Sequence, residues 1–173
     1  MNPLVPDFIL AQETRGRTEG NFAGAALFID IPGFTQLTAK LFDNRDKHRQ
    51  QVRKEQGEQE LLGSDAREER AEEVLASALR FYFDPLIQAV HEHGGFVVGF
   101  AGDAFTAVFP HAPGRNVGEH ALAAALRMRT FFLKHPELKT AFGNFEFSYK
   151  VGLSWGAVEW GIDPKRIGIM GSS

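Results

Sequence analysis

Residues 96–109 read FVVGFA-GD-AFTAVF, two six-residue apolar runs separated only by Gly102 and Asp103. A connection that short, opened by glycine, points to an antiparallel hairpin. A lone hairpin is marginal in water, so further strands or helices must cover one this apolar. A third run, AALFIDI at 25–31, is bounded by Gly24 and by Pro32-Gly33, with one charge, Asp30, near its end. Its length suits a strand buried on both faces.

Helical periodicity fills the intervals. Leu75, Leu79, Tyr82, Leu86 and Val90 recur at spacings of three and four until Gly94-Gly95 closes the pattern, with a kink expected at Pro85. A short helix is expected over 34–42, from apolar positions 34, 37, 41 and 42, and another over 117–134, with Leu122, Leu126 and Met128 among alanines. Residues 145–155 alternate as a strand, and 157–162 are expected to pair back on it after a turn at Gly156. The order β-α-β-β-α-β defines an α+β fold, a ferredoxin-like, palm-like antiparallel sheet with helices on one face.

In that topology the first and third strands are antiparallel neighbours. The end of the first, Asp30, then lies beside the start of the third, Asp103, 73 positions away in sequence. Two converging carboxylates repel unless a cation neutralises them. Oxygen donors favour Mg²⁺ or Mn²⁺, and Mg²⁺ is commonly held by one or two carboxylates together with substrate phosphates. The segment Ile31-Pro32-Gly33-Phe34-Thr35 leads into a helix N-terminus, whose free N–H groups suit phosphate. Simpler roles exist for both aspartates: Asp30 as a cap for the following helix, Asp103 as a metal-free turn residue.

Composition narrows the classes. The 173 residues fit one domain with a core, and 16 Phe against two Tyr and two Trp read as core filling. A net charge of −3 argues against a nucleic-acid partner. No cysteine means no disulfide or thiolate metal site. No signal peptide and no membrane-length apolar run is visible, so the expected location is cytoplasmic. Residues 1–21 read as a lead-in and 22–173 as the domain, with a charged insertion at about 43–73, either a broken solvated helix or a mobile segment. His91 and His93, two apart at a helix end, point in different directions and make a poor metal pair. Arg115 and Arg166 receive no role.

The segments FIDIPGFTQLT, HGGFVVGFAGDAFTAVF and VGLSWGAVEWG resemble, in order and spacing, three signatures of class III adenylyl and guanylyl cyclase catalytic domains. The lead-in Val5-Pro6-Asp7-Phe8-Ile9-Leu10 and the pair Phe100-Ala101 are similar to the soluble, bicarbonate-responsive type, and to the first of its two cyclase domains. The resemblance implies two metal ions, Mg²⁺ or Mn²⁺, on Asp30 and Asp103 with the Ile31 carbonyl, and phosphates on the backbone of Gly33, Phe34 and Thr35. It implies an adenylyl cyclase forming cyclic AMP and pyrophosphate from ATP, with GTP as the other candidate substrate for a cyclic 3′,5′-nucleotide, and a second cyclase domain, in cis or trans, as partner.

The sequence departs from that pattern at two places. Gly99 occupies the position where many members carry a base-reading lysine, which in the soluble type also helps hold bicarbonate. The family's downstream Asn and Arg do not appear before Ser173, so the domain reads as C-terminally truncated. The expectation is the metal-donating half of a dimeric site, with negligible turnover by the fragment alone. The rival is a degenerate cyclase-like module that binds nucleotide or an anion and regulates a partner. A cyclic-dinucleotide synthase shares the topology, but its signature is absent from 102–106.

Overall fold

The computed structural model describes residues 7–43, 61–111, 113–114, 116–140 and 143–161. Its central strand is β1 (Glu19–Asp30), in which Ala25, Leu27 and Ile29 are buried and Phe28 is exposed, the period of a sheet with one covered face. The hairpin β2 (Phe96–Ala101) and β3 (Ala104–Pro110) forms as its sequence requires. β3 runs antiparallel to β1, opposing Ala25 to Phe109, Leu27 to Ala107 and Ile29 to Phe105.

Two short strands, β4 (Glu137–Thr140) and β5 (Gly143–Glu146), make a separate sheet. The last strand, β6 (Lys150–Gly161), lies along the other side of β1 from Asp30↔Lys150 to Glu19↔Gly161. The order β2-β3-β1-β6, antiparallel throughout, is the expected ferredoxin-like arrangement.

Helix α2 spans 34–43, α3 is Leu61–Glu92 and α4 is Val117–Lys134. They supply Leu37, Leu41, Ala78, Tyr82, Leu86, Val90, Ala121, Ala124, Met128 and Phe132 to one core with the inward residues of β1 and β3. α3 closes with the Gly95 N–H on the Val90 carbonyl and the Gly94 N–H on His91, both 2.9 Å, the paired bonds of a Schellman ending. α4 opens with Asn116, whose Oδ1 accepts from the Glu119 N–H while its amide donates to Glu119 Oε1. A short α1 (Asp7–Glu13) lies against the opposite face of the sheet, Phe8 meeting Phe22, Phe96 and Trp160 at ring separations of 4.7–5.7 Å.

Several expectations from the sequence are corrected. There is no turn at Gly156: β6 passes straight through it, opposite Gly24, and 157–161 pair with β1. The cause is the length of β1, which begins at Glu19 rather than at 25 and so offers a partner to each β6 residue. Residues 145–155 are not one strand, because Gly143–Glu146 pairs with Glu137–Thr140 and the ladder with β1 starts only at Lys150. In α4 the phase differs. Leu122 and Leu126 are 49% and 51% exposed, while small Ala121 and Ala124 face the core with Met128. In α3, Leu79 is exposed and Ala78 takes the inward position. The helix starts at Leu61, so residues 61–73 of the charged run are helical, whereas 44–60 lies outside the described residues.

Candidate functional site

Strand alternation sends Ile29 inward and Asp30 to the open face of the sheet, at the very end of β1. Asp30 opposes Ala104 on one side and Lys150 on the other. One residue on, the Ile31 N–H donates to the Asp103 carbonyl at 3.0 Å, carrying the β1–β3 ladder into the hairpin turn. The turn is Gly102-Asp103, with φ of +63° on Gly102 and no positive φ on Asp103, the signature of a turn needing glycine at its first central position. Asp30 and Asp103 therefore come to the same end of one antiparallel pair, by a hydrogen-bonded route.

Each carboxylate has a partner. Thr35 Oγ1 donates to Asp103 Oδ2 at 3.2 Å, and Lys150 Nζ stands 3.7 Å from Asp30 Oδ2. The Asp30 side chain is 27% exposed and that of Lys150 74%. Among the described residues there is no cluster of three or more His, Cys, Asp and Glu. The local donor set is thus two carboxylates and nearby backbone carbonyls, all oxygen.

The approach to α2 is shaped by Gly33. Its φ is +144°, and a Cβ there would lie 2.8 Å from Phe147 Cδ1 and 3.0 Å from the Glu146 carbonyl oxygen. Only glycine fits this backbone and this close approach. The Gly33 carbonyl accepts the Leu37 N–H at 2.9 Å, so Gly33 is the cap of α2 and the N–H groups of Phe34, Thr35 and Gln36 fall in its first turn. Asp30, three residues upstream, is not that cap. Phe147 packs on Phe34 and Tyr82, with ring separations of 4.9 and 4.2 Å, and the Ser148 N–H reaches the Pro32 carbonyl at 3.5 Å. Tyr82, fully buried behind this loop, donates its hydroxyl to the His135 carbonyl at 3.2 Å. Burial, reinforced by the negative charge of Glu137, pushes the Tyr82 phenol up to about 12.

Gly99 sits on β2 opposite Thr106, at a β-bulge, with open space where a side chain would project. His91 and His93 belong to the end of α3 that feeds the start of β2, the far end of the hairpin from Asp103; His93 Nδ1 is 2.7 Å from the Ala89 carbonyl. Sequence reasoning singled out Asp30, Ile31, Asp103, Gly33, Phe34 and Thr35, which the fold gathers at one edge. It missed Lys150 and Phe147. Lys150 had a signal, a lone cation immediately before the apolar Val151-Gly152-Leu153 run; Phe147, one of 16 Phe, had none.

No family model matches the sequence, and no curated protein matches it. Solved structures do. One of a bacterial light-regulated adenylyl cyclase aligns over 91% of this chain and 38% of that chain, with TM-score 0.58 and 19% identity. A second structure of a bacterial light-regulated adenylyl cyclase aligns over 80% and 55%, with TM-score 0.50 and 20% identity. The catalytic core of a rhodopsin-guanylyl cyclase with converted specificity, in complex with ATPαS, aligns over 84% and 64%, with TM-score 0.51 and 19% identity. The chain has the fold of these cyclase structures, and spans from about two fifths to less than two thirds of their length. No helix among the described residues is long and apolar enough to cross a membrane.

Proposed function

We propose that the chain is part of a nucleotidyl cyclase catalytic domain, the half that holds metal and phosphates, acting on ATP or GTP. The supporting observation is the meeting of Asp30 and Asp103 at one end of β1 and β3, beside the Gly33-capped start of α2. The donors fit Mg²⁺ or Mn²⁺: they are hard oxygens, too few to enclose an ion, as suits a cation that keeps waters and substrate oxygens. Asp30, Asp103 and the Ile31 carbonyl would hold two ions. Bound, these would lower the charge on the phosphates and favour ionisation of the ribose 3′ hydroxyl.

The protein's own contribution is placement. The N–H groups of Phe34 and Thr35, with the backbone of Gly33, orient the triphosphate at the positive end of α2. In the reaction the ribose 3′ oxygen loses its proton and bonds to the α-phosphorus. The bond from that phosphorus to the bridging oxygen breaks, and pyrophosphate leaves. Gly99 offers nothing to the base, so base reading and transition-state stabilisation fall to a second cyclase domain, in cis or trans. The exposed Phe28, on the face of Asp30, and Trp155 at the β6 edge favour such a partner. Gly99 also supports the second reading, a cyclase-like module that binds nucleotide without turnover.

Titrating the purified chain with Mn²⁺ and a non-hydrolysable ATP analogue tests the site by thermal melting. A ligand-dependent rise in melting temperature is expected in the wild type and not in Asp30→Asn, which removes one of two anionic ligands. An equal rise in both proteins refutes the assignment. Assay of cyclic nucleotide formation separates the two readings: turnover that needs an added complementary domain supports the enzyme half, and none under any pairing supports the binding module.

A further inference from the structure

Lys150 is the first residue of β6 and the direct cross-strand partner of Asp30, its ammonium 3.7 Å from the carboxylate that the proposed metal site requires. Register fixes this pairing. Phe28 opposes Gly152 and Asp30 opposes Lys150 on the same open face, so the Lys150 backbone is held beside Asp30 by the β1–β6 ladder while its side chain stays free to move. The second carboxylate is treated differently, Asp103 being held by the neutral hydroxyl of Thr35. Among the described residues the two aspartates are thus unequal: one carries a tethered positive charge, the other does not.

We propose that Lys150 is the resident counter-cation of Asp30 and sets the affinity of this edge for divalent ions, which must share or displace it to bind. The proposal rests on the metal-site reading of Asp30 and Asp103. A monovalent cation on a flexible stem neutralises Asp30 in the ion-free state, limiting carboxylate repulsion without a metal. The cost is competition: an incoming M²⁺ meets a like charge a few ångströms away. Because Lys150 is mostly exposed, solvent and salt moderate that repulsion. Its removal is therefore expected to strengthen ion binding by about three- to tenfold at low salt, a gain that damage to the fold does not produce.

The test measures the dissociation constant of Mn²⁺ alone, by loss of the free-ion paramagnetic resonance signal, at low and at high ionic strength. Lys150→Met is expected to bind Mn²⁺ more tightly by the stated factor at low salt and less so at high salt. Lys150→Arg, which keeps the charge, is expected to stay near the wild type. In an Asp30→Asn background Lys150→Met is expected to bring no measurable gain in Mn²⁺ binding. Unchanged or weaker binding by Lys150→Met, with the wild type binding Mn²⁺, overturns the role of Lys150 and leaves the metal site standing. Absence of Mn²⁺ binding in wild type and Lys150→Met alike overturns both.

Discussion

Replacing Gly33 by alanine probes the loop on which the proposed phosphate site depends. Two costs add. The backbone at φ +144° lies where side chains are strained, about 1–3 kcal/mol. The new Cβ would also stand 2.8 Å from Phe147 Cδ1 and 3.0 Å from the Glu146 oxygen. The ring has little room to yield, because Phe34 and Tyr82 pack against it. Overpacking of that kind costs about 1–3 kcal/mol. The expected loss is about 4 kcal/mol, a large part of the roughly 5–15 kcal/mol that holds such a domain together. It corresponds to a fall of roughly 8–16 °C in melting temperature. Urea unfolding followed by circular dichroism measures it, and a cycle with Phe147→Ala separates the terms. With the ring gone, Gly33→Ala should cost only the backbone strain and the remaining contact with the Glu146 oxygen, so the two changes should couple by about 1–3 kcal/mol. A Gly33→Ala protein within 0.5 kcal/mol of the wild type, or an equal cost in both backgrounds, refutes the close-approach reasoning.

Tyr82 carries the expected pH dependence. With its phenol raised from 10 to about 12 by burial and by Glu137, the unfolded chain releases that proton first. The stabilisation is full below pH 10 and is lost as pH rises through 12, about 2–3 kcal/mol in total. Urea midpoints across that range should fall more steeply for the wild type than for Tyr82→Phe. Asn116→Ala removes the side-chain cap of α4 and should cost about 1 kcal/mol in the same assay, with Asn116→Asp nearly neutral.

The parts of the fold readable in the sequence are those whose signals are local. The hairpin at Gly102-Asp103 and the 117–134 bounds of α4 follow from neighbours in the chain, and both stand where the sequence puts them. The first three residues of β1, Glu19-Gly20-Asn21, carry no strand pattern of their own; they are strand because β6 lies beside them. That non-local ladder also makes Gly156 mid-strand instead of a turn. In α4 the helical period was visible but its phase was not, because side-chain size points to Leu122 and Leu126 whereas packing selects the small Ala121 and Ala124. At the site, Asp30 and Asp103 were legible because topology alone joins the ends of strands one and three. Lys150 required the register of a fourth strand, and Phe147 required the β4–β5 hairpin, whose members look like loop.

The placement of the two aspartates is a consequence of the core. Leu27, Ile29 and Ile31 are fully buried, and Ala107 and Phe105 oppose the first two across the β1–β3 ladder. A slip of one residue would turn these apolar side chains to solvent and Asp30 inward, so the register is held by core burial and not by the carboxylates. Asp103 is placed by the same register, through the Ile31 N–H and the two-residue turn. Neither aspartate side chain contributes to the core, and among the described residues each makes a single polar contact that is exposed or partly so. Such contacts contribute little to stability. An edge positioned by the core and carrying two carboxylates that the core does not need is the arrangement the proposed metal role calls for.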